Sequence, residues 1–339
     1  MKRLPLGPLM VDIAGTTLTP LERERLCHPL VGGLILFARN YQDRDQLQAL
    51  CTAIHALREP ALPIAIDHEG GRVQRCREEF TRLPAMRHLG TVWDRDPDQA
   101  LETSQAVGYV LAAELRVCGV DFSFTPVLDL DWGRSSVIGD RAFHRTPAAV
   151  TALAGAFCAG LRQAGMIACG KHFPGHGWTE ADSHVAIPVD ERTWEELQAD
   201  LEPYRRLKLD AVMPAHVIYP RIDPHPAGFS KFWIGFLRDR LRFDGVVFSD
   251  DLSMQGASVV GGLIERAEAA YTAGCDMLLV CNAPESVDEL LANWRASIDP
   301  QRTFRISRLL AQFPPLDWKY LSQTPLYRTG VRICEEWLA

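Results

Sequence analysis

Eight short, continuously apolar runs recur along this 339-residue chain, and they constrain its fold more than any other feature. They are LMVDIAG (9–15), GLILF (33–37), PIAIDHEGG (63–71), VDFSFTPVLDL (120–130), MIACGKHFPGHG (166–177), DAVMPAHVIY (210–219), GVVFSDDLSM (245–254) and DMLLVC (276–281). A strand wetted on one face alternates apolar and polar residues. Unbroken apolar runs belong instead to parallel strands buried on both faces. Between them lie stretches of helical period, such as DRDQLQALCTAIHALRE, AAVTALAGAFCAGL and RTWEELQADLEPYRRLK. Strand and helix in alternation predict an α/β fold, either a closed barrel or an open doubly wound sheet. The strand ends separate the two. Asp67, Asp129, Lys171, His172, His216, Asp250 and Asn282 fall at or just past the C-terminal end of a run. An open sheet would gather such residues at one switch point, whereas a barrel draws them from many strands. The expected architecture is therefore a single-domain (β/α)8 TIM barrel over residues 1–339, with 313–339 a C-terminal tail packed on it. No repeat, low-complexity tract or Gly/Ser linker marks a boundary.

Composition removes several classes of function. Thirty-six basic against 43 acidic residues leave a net charge of −7, and no run of cations suggests nucleic acid or a membrane surface. The longest apolar stretches fall short of the roughly 18–20 residues of a membrane span. Pro5, Pro8 and Asp12 interrupt what would have to be the apolar core of an export signal. Nine dispersed cysteines form no CxxC pair, which suits reduced thiols in a reducing compartment. A cytoplasmic monomer acting on a small molecule is expected.

The chemistry concentrates in four stretches. In KHFPGHG, His172 and His176 have the spacing of paired metal ligands on a helix, but Pro174 and Gly175 lie between them and make a helix improbable. The same residues describe a tight turn leaving a strand, with Lys171 and His172 at its tip; three such side chains within seven residues favour a site over hydrogen-bonded structural histidines. WTEADSH follows, with Asp182 and His184 two apart. A carboxylate beside an imidazole fixes its tautomer and raises its basicity, which suits general acid/base work. A solvated loop with a local turn bond is the alternative. In GVVFSDDLSM, two adjacent carboxylates end an apolar strand, where one suits a nucleophile or metal ligand and the other a helix N-cap. Alternation sends Asp250 and Asp251 opposite ways without saying which faces a site. Finally, IDHEGGRVQR and IGDRAF supply Asp67, Arg72, Arg75 and Arg141. Carboxylates and guanidinium forks suit sugar hydroxyls, while a surface salt-bridge loop is the plain alternative.

Taken together, PLMVDIAG, HPLVGGLILFARNY, IDHEGGRVQR, KHFPGHG, ADSH, MPAHVIYP, FDGVVFSDDLSM and AGCDMLLVCN resemble the bacterial β-N-acetylglucosaminidases of glycoside hydrolase family 3, over roughly residues 6 to 282. The resemblance implies a TIM barrel, no cofactor and no metal. It also implies a retaining two-step hydrolysis of GlcNAc β-1,4-linked to anhydro-N-acetylmuramic acid, with or without a stem peptide, in peptidoglycan recycling. It matches Asp250 to the nucleophile, His184 to the acid/base and Asp182 to its orienting partner. The sugar-binding positions match Asp67, Arg75, Arg141, Lys171 and His172. His68 departs from the glutamine often found there. Phosphate acting in place of water, or less readily a metal-dependent hydrolase, are the alternatives.

Overall fold

The structure is a computed structural model that describes residues 2–180 and 188–338. Eight parallel strands carry the core: β1 (Leu9–Val11), β2 (Val31–Leu36), β3 (Ile64–Ile66), β4 (Phe122–Ser123), β5 (Cys169–Phe173), β6 (Ala211–Pro214), β7 (Val246–Val247) and β8 (Leu278–Val280). Every residue in them is buried, as the unbroken apolar runs require.

The barrel expectation is overturned. Among the described residues the strands divide into a five-stranded sheet, ordered β8-β1-β2-β3-β4, and a three-stranded one, ordered β7-β6-β5. Between the sheets the pairing narrows to isolated parallel bridges, Val127 to Lys171 and Phe248 to Met277, with a few main-chain bonds beside them, such as the Cys169 amide to the Thr125 carbonyl and the Ser249 amide to the Met277 carbonyl, both at 2.8 Å. The cause is local. Pro126 follows β4 and has no N–H to extend a ladder toward β5. On the other side the Leu279 amide donates to the Ser249 hydroxyl at 3.0 Å, so a side chain takes the place of a ladder bond. β4 and β7 are also only two residues long. The α/β class stands and the eight-stranded ladder does not.

Helices join the strands and begin where the sequence supplies caps. Asp43 accepts from the Gln46 amide to start Arg44–His55. Asp96 does the same for the Gln99 amide at α1 (Pro97–Val117), with Pro97 in the first turn. α2 (Pro147–Gln163) covers the AAVTALAGAFCAGL stretch. The stretch RTWEELQADLEPYRRLK is helical only over Gln198–Arg206. Toward the C-terminus, α3 (Pro325–Leu338) packs on α1, where a Cβ on Gly330 would lie 2.8 Å from the Ala106 carbonyl oxygen. No described helix is long and apolar enough to cross a membrane.

Under the C-terminal strand ends, Phe122, Phe124 and Phe248 meet edge-to-face or tilted, with Phe124 and Phe248 centroids 5.0 Å apart. Such pairs contribute about 0.5–1.5 kcal/mol each beyond their burial. They also form an apolar floor, with the Lys171 ammonium 5.9 Å from the Phe124 ring.

Candidate active site

The residues just past the C-terminal ends of β2, β3, β5, β7 and β8 converge on one cavity of about 470 Å³. Lys171, on β5, is buried at its floor, where its ammonium lies 2.9 Å from Asp67 Oδ1 and 2.7 Å from Glu69 Oε1. Arg141, from the DR turn, grips the same Glu69 with both arms of its fork, at 2.8 and 2.9 Å. Burial alone would raise the Glu69 carboxyl, but Arg141 and Lys171 overcome it and hold the group well below the usual carboxylate range. Burial likewise opposes the charge on Lys171, and Asp67 and Glu69 reverse the balance and raise its pKa. Arg75 approaches Asp67 at 3.7 Å, and its guanidinium lies 6.0 Å from the Phe37 ring.

Beside this cluster, the KHFPGHG turn closes around Asp129. A Cβ on Gly177 would lie 1.9 Å from the Leu130 carbonyl oxygen, and Gly175 has φ +149°, so both glycines are required for this approach. Asp129 can then accept from the His172 amide at 3.2 Å, the His172 ring Nδ1 at 2.7 Å and the His176 amide at 2.7 Å. A carboxylate only accepts, so Nδ1 carries the proton and Nε2 of His172 is left for a ligand. Burial would raise the Asp129 carboxyl, and its His172 and His176 bonds lower it below the ordinary value. His176 meets Thr179 through Nδ1 at 3.0 Å, its Nε2 has no hydrogen-bond partner among the described residues, and burial lowers its pKa.

The two aspartates of SDDLSM both border the cavity but differ in their partners. Asp250 lines the cavity, partly buried, with Oδ1 accepting the Asp251 amide at 2.8 Å. The Asp251 carboxylate is engaged elsewhere: it accepts from the Ser253 amide and hydroxyl and from the Cys281 amide beyond β8. It therefore ties two strand ends together and fixes a turn, rather than capping a helix as expected. Asn282 borders the cavity, held by Arg39 at 2.7 Å and by its own amide on Asp12 at 2.9 Å. His216 does not border it, since its ring stacks on Phe229 at 5.5 Å and meets the Asp251 carbonyl.

Asp67, Arg75, Arg141, Lys171, His172 and Asp250 thus border one cavity. Asp182 and His184 lie outside the described residues. Glu69, which joins Lys171 to Arg141, escaped the sequence reading. Its signal was there, because in an extended IDHEG segment residues 67 and 69 point the same way. Among the described residues no group of three or more His, Cys, Asp or Glu is arranged to hold a metal ion. A partly buried carboxylate facing fixed cations and hydrogen-bonding groups can take up a polyhydroxylated ring and attack an electrophilic carbon in it.

Comparison with known proteins agrees in one direction. A protein named β-hexosaminidase from Aromatoleum aromaticum is 59% identical over 330 residues, covering 96% of this chain and 93% of that protein. One of the same name from Chromobacterium violaceum is 57% identical, covering 95% and 92%. The crystal structure of NagZ from Neisseria gonorrhoeae in complex with N-trifluoroacetyl-D-glucosamine superposes with a TM-score of 0.94 at 49% identity, covering 98% of each chain. Residues 10–306 match the glycosyl hydrolase family 3 N-terminal domain, and the chain belongs to that family.

Proposed function

We propose that this protein is a retaining β-N-acetylhexosaminidase. In this reading it releases the terminal non-reducing GlcNAc from muropeptide fragments, GlcNAc-β-1,4-anhydroMurNAc with or without its stem peptide. It would act as a cytoplasmic step of peptidoglycan recycling. The observation that carries the reading is the placement of Asp250 on the same cavity as the Lys171–Asp67–Glu69–Arg141 cluster, in a chain whose relatives are named β-hexosaminidase.

Asp67, Arg75, Arg141, Lys171 and His172 bind the sugar. Asp67 accepts from ring hydroxyls, and Lys171 and His172 Nε2 supply directional contacts. Asp250 attacks the anomeric carbon, and the bond from that carbon to the leaving oxygen breaks as the glycosyl–carboxylate bond forms. His184, oriented by Asp182, gives its proton to the leaving oxygen. In the second step the neutral His184 takes a proton from water, whose oxygen displaces Asp250. The roles of Asp182 and His184 rest on the sequence resemblance. Two inversions restore the β configuration. No observation favours phosphate over water as acceptor.

The test follows an aryl β-GlcNAc substrate and a muropeptide disaccharide by proton NMR from the first turnover. The expected first product is β-GlcNAc, which then mutarotates. An α-GlcNAc first product would overturn the retaining mechanism, and no release from either substrate would overturn the whole reading.

A further inference from the structure

Glu114 is a deeply buried acid that the proposed reaction leaves unused. It sits inside α1, 2% exposed, and no lysine or arginine pairs with it among the described residues. Its partners come instead from two segments far apart in sequence. Oε2 accepts the Thr81 amide at 3.0 Å, and Oε1 accepts the Thr81 hydroxyl at 2.6 Å and the Tyr327 hydroxyl of α3 at 2.8 Å. Burial raises its pKa, partly offset by these same bonds. An acid held here without a cation is expensive unless each bond has a purpose.

The chain of contacts continues from Thr81 to the cavity. The Thr81 carbonyl accepts from Gln74 Nε2 at 2.8 Å, and Gln74 Oε1 accepts the Leu83 amide at 3.0 Å. Gln74 is itself 3% exposed. The Leu83 carbonyl in turn accepts the Gly71 amide at 3.0 Å. Gln74 is the neighbour of Arg75, and the segment it crosslinks begins at Glu69 and Gly70, where a Cβ on Gly70 would strike the Pro84 carbonyl at 2.5 Å. The loop bearing Asp67, Glu69 and Arg75 is therefore buttressed from behind by residues 81–84, and those residues are fastened to Glu114.

We propose that Glu114 and Tyr327 are positioning residues: they clamp Thr81 so that the 69–83 loop presents Arg75 and Glu69 to the sugar, which gives the C-terminal helix a part in substrate binding. The inference deepens the proposed glycosidase reading and rests on it for the word substrate, while the clamp itself stands on geometry. Neither residue touches the cavity, so both act through Thr81 and Gln74.

The test compares wild type with Tyr327→Phe, Glu114→Gln and a control, Trp337→Ala, which removes a stacking contact of the same helix with His88 at 5.5 Å. KM and kcat on an aryl β-GlcNAc substrate are read alongside hydrogen exchange of the Thr81 and Leu83 amides. Tyr327→Phe should raise KM about fivefold with kcat within about twofold, because ground-state and transition-state binding weaken together. Glu114→Gln, which offers one acceptor oxygen in place of two, should raise it further. Both should speed exchange at Thr81 and Leu83, and Trp337→Ala should do neither even where it lowers Tm. Unchanged exchange at those amides in both clamp variants overturns the clamp, whatever the kinetics. Faster exchange with unchanged KM overturns the positioning role. An inactive wild type would sink the glycosidase reading alone, and the exchange data would still decide the clamp.

Discussion

Both ends of the parallel strands carry aspartates, and the partners of those aspartates differ. At the N-terminal ends, Asp121 before β4 accepts the Ile64 amide at 2.8 Å, and Asp210 before β6 accepts the Ala168 amide at 3.0 Å. Asp276 before β8 accepts the Val247 amide at 2.8 Å. Each carboxylate thus holds the main chain at the start of the core strand that precedes it in sequence. His55, Arg162, and Arg238 with Arg305 supply hydrogens from the side of the helices. At the C-terminal ends, Asp67 meets Lys171 and Arg75 across an open cavity, Asp129 orients an imidazole, and Asp250 faces the cavity itself. A carboxylate at a strand tip is therefore not a site merely by being there. It becomes one when its partners are side chains that keep hydrogen-bonding capacity free toward a space a ligand can enter.

This contrast breaks most visibly at Asp250. Asp250→Ala should lower kcat on an aryl β-GlcNAc substrate by at least about a thousandfold, as removal of a nucleophile does, with Tm almost unmoved. Retained turnover would remove Asp250 from the site. Glu69→Gln should show a mixed effect. Breaking a buried ion pair costs about 3–5 kcal/mol, because Lys171 and Arg141 both lose charge compensation. KM should rise about tenfold as they shift. Asp276→Asn, at the opposite end, removes the partner of Arg238 and Arg305 and should likewise cost about 3–5 kcal/mol while leaving KM and kcat alone. Calorimetry and steady-state kinetics on the pair check this together. A changed KM in Asp276→Asn would erase the distinction between the two ends.

Much of this was legible in the chain before any coordinates. The apolar runs marked all eight strands, and their polar tips marked Asp67, Lys171, His172 and Asp250. Sheet closure was not legible, because it turns on single hydrogen bonds: an absent N–H at Pro126 and a hydroxyl at Ser249 that takes the Leu279 amide. Asp250 and Asp251 could not be told apart by alternation, since the choice lies in partners 30 residues away at Cys281. His216 looked like a site residue for being at a strand tip, and Phe229 covers it. Asp121, Asp210 and Asp276 stood in plain view at the starts of VDFSF, DAVMP and DMLLVC. Their repetition became meaningful only when the register showed which amide each one meets.

The smallest expected effect sharpens the comparison through pH. Arg141 and Lys171 hold Glu69 below its ordinary range against the effect of burial. A carboxyl whose folded pKa is depressed stabilises the fold fully above its unfolded pKa, about 4.3, and that contribution drains away as pH falls toward the folded pKa. Wild-type Tm should therefore fall on acidification from about pH 5 to about pH 3, and Glu69→Gln should flatten part of that slope. The remainder belongs to groups such as Asp129, which is also depressed. Glu114 carries the opposite sign, because burial raises its folded pKa and its contribution is greatest at low pH, declining as pH rises through that folded pKa. Glu114→Gln should accordingly leave the acid slope as steep as wild type or steeper. Equal slopes in Glu69→Gln and wild type would mean that Lys171 and Arg141 do not compensate Glu69.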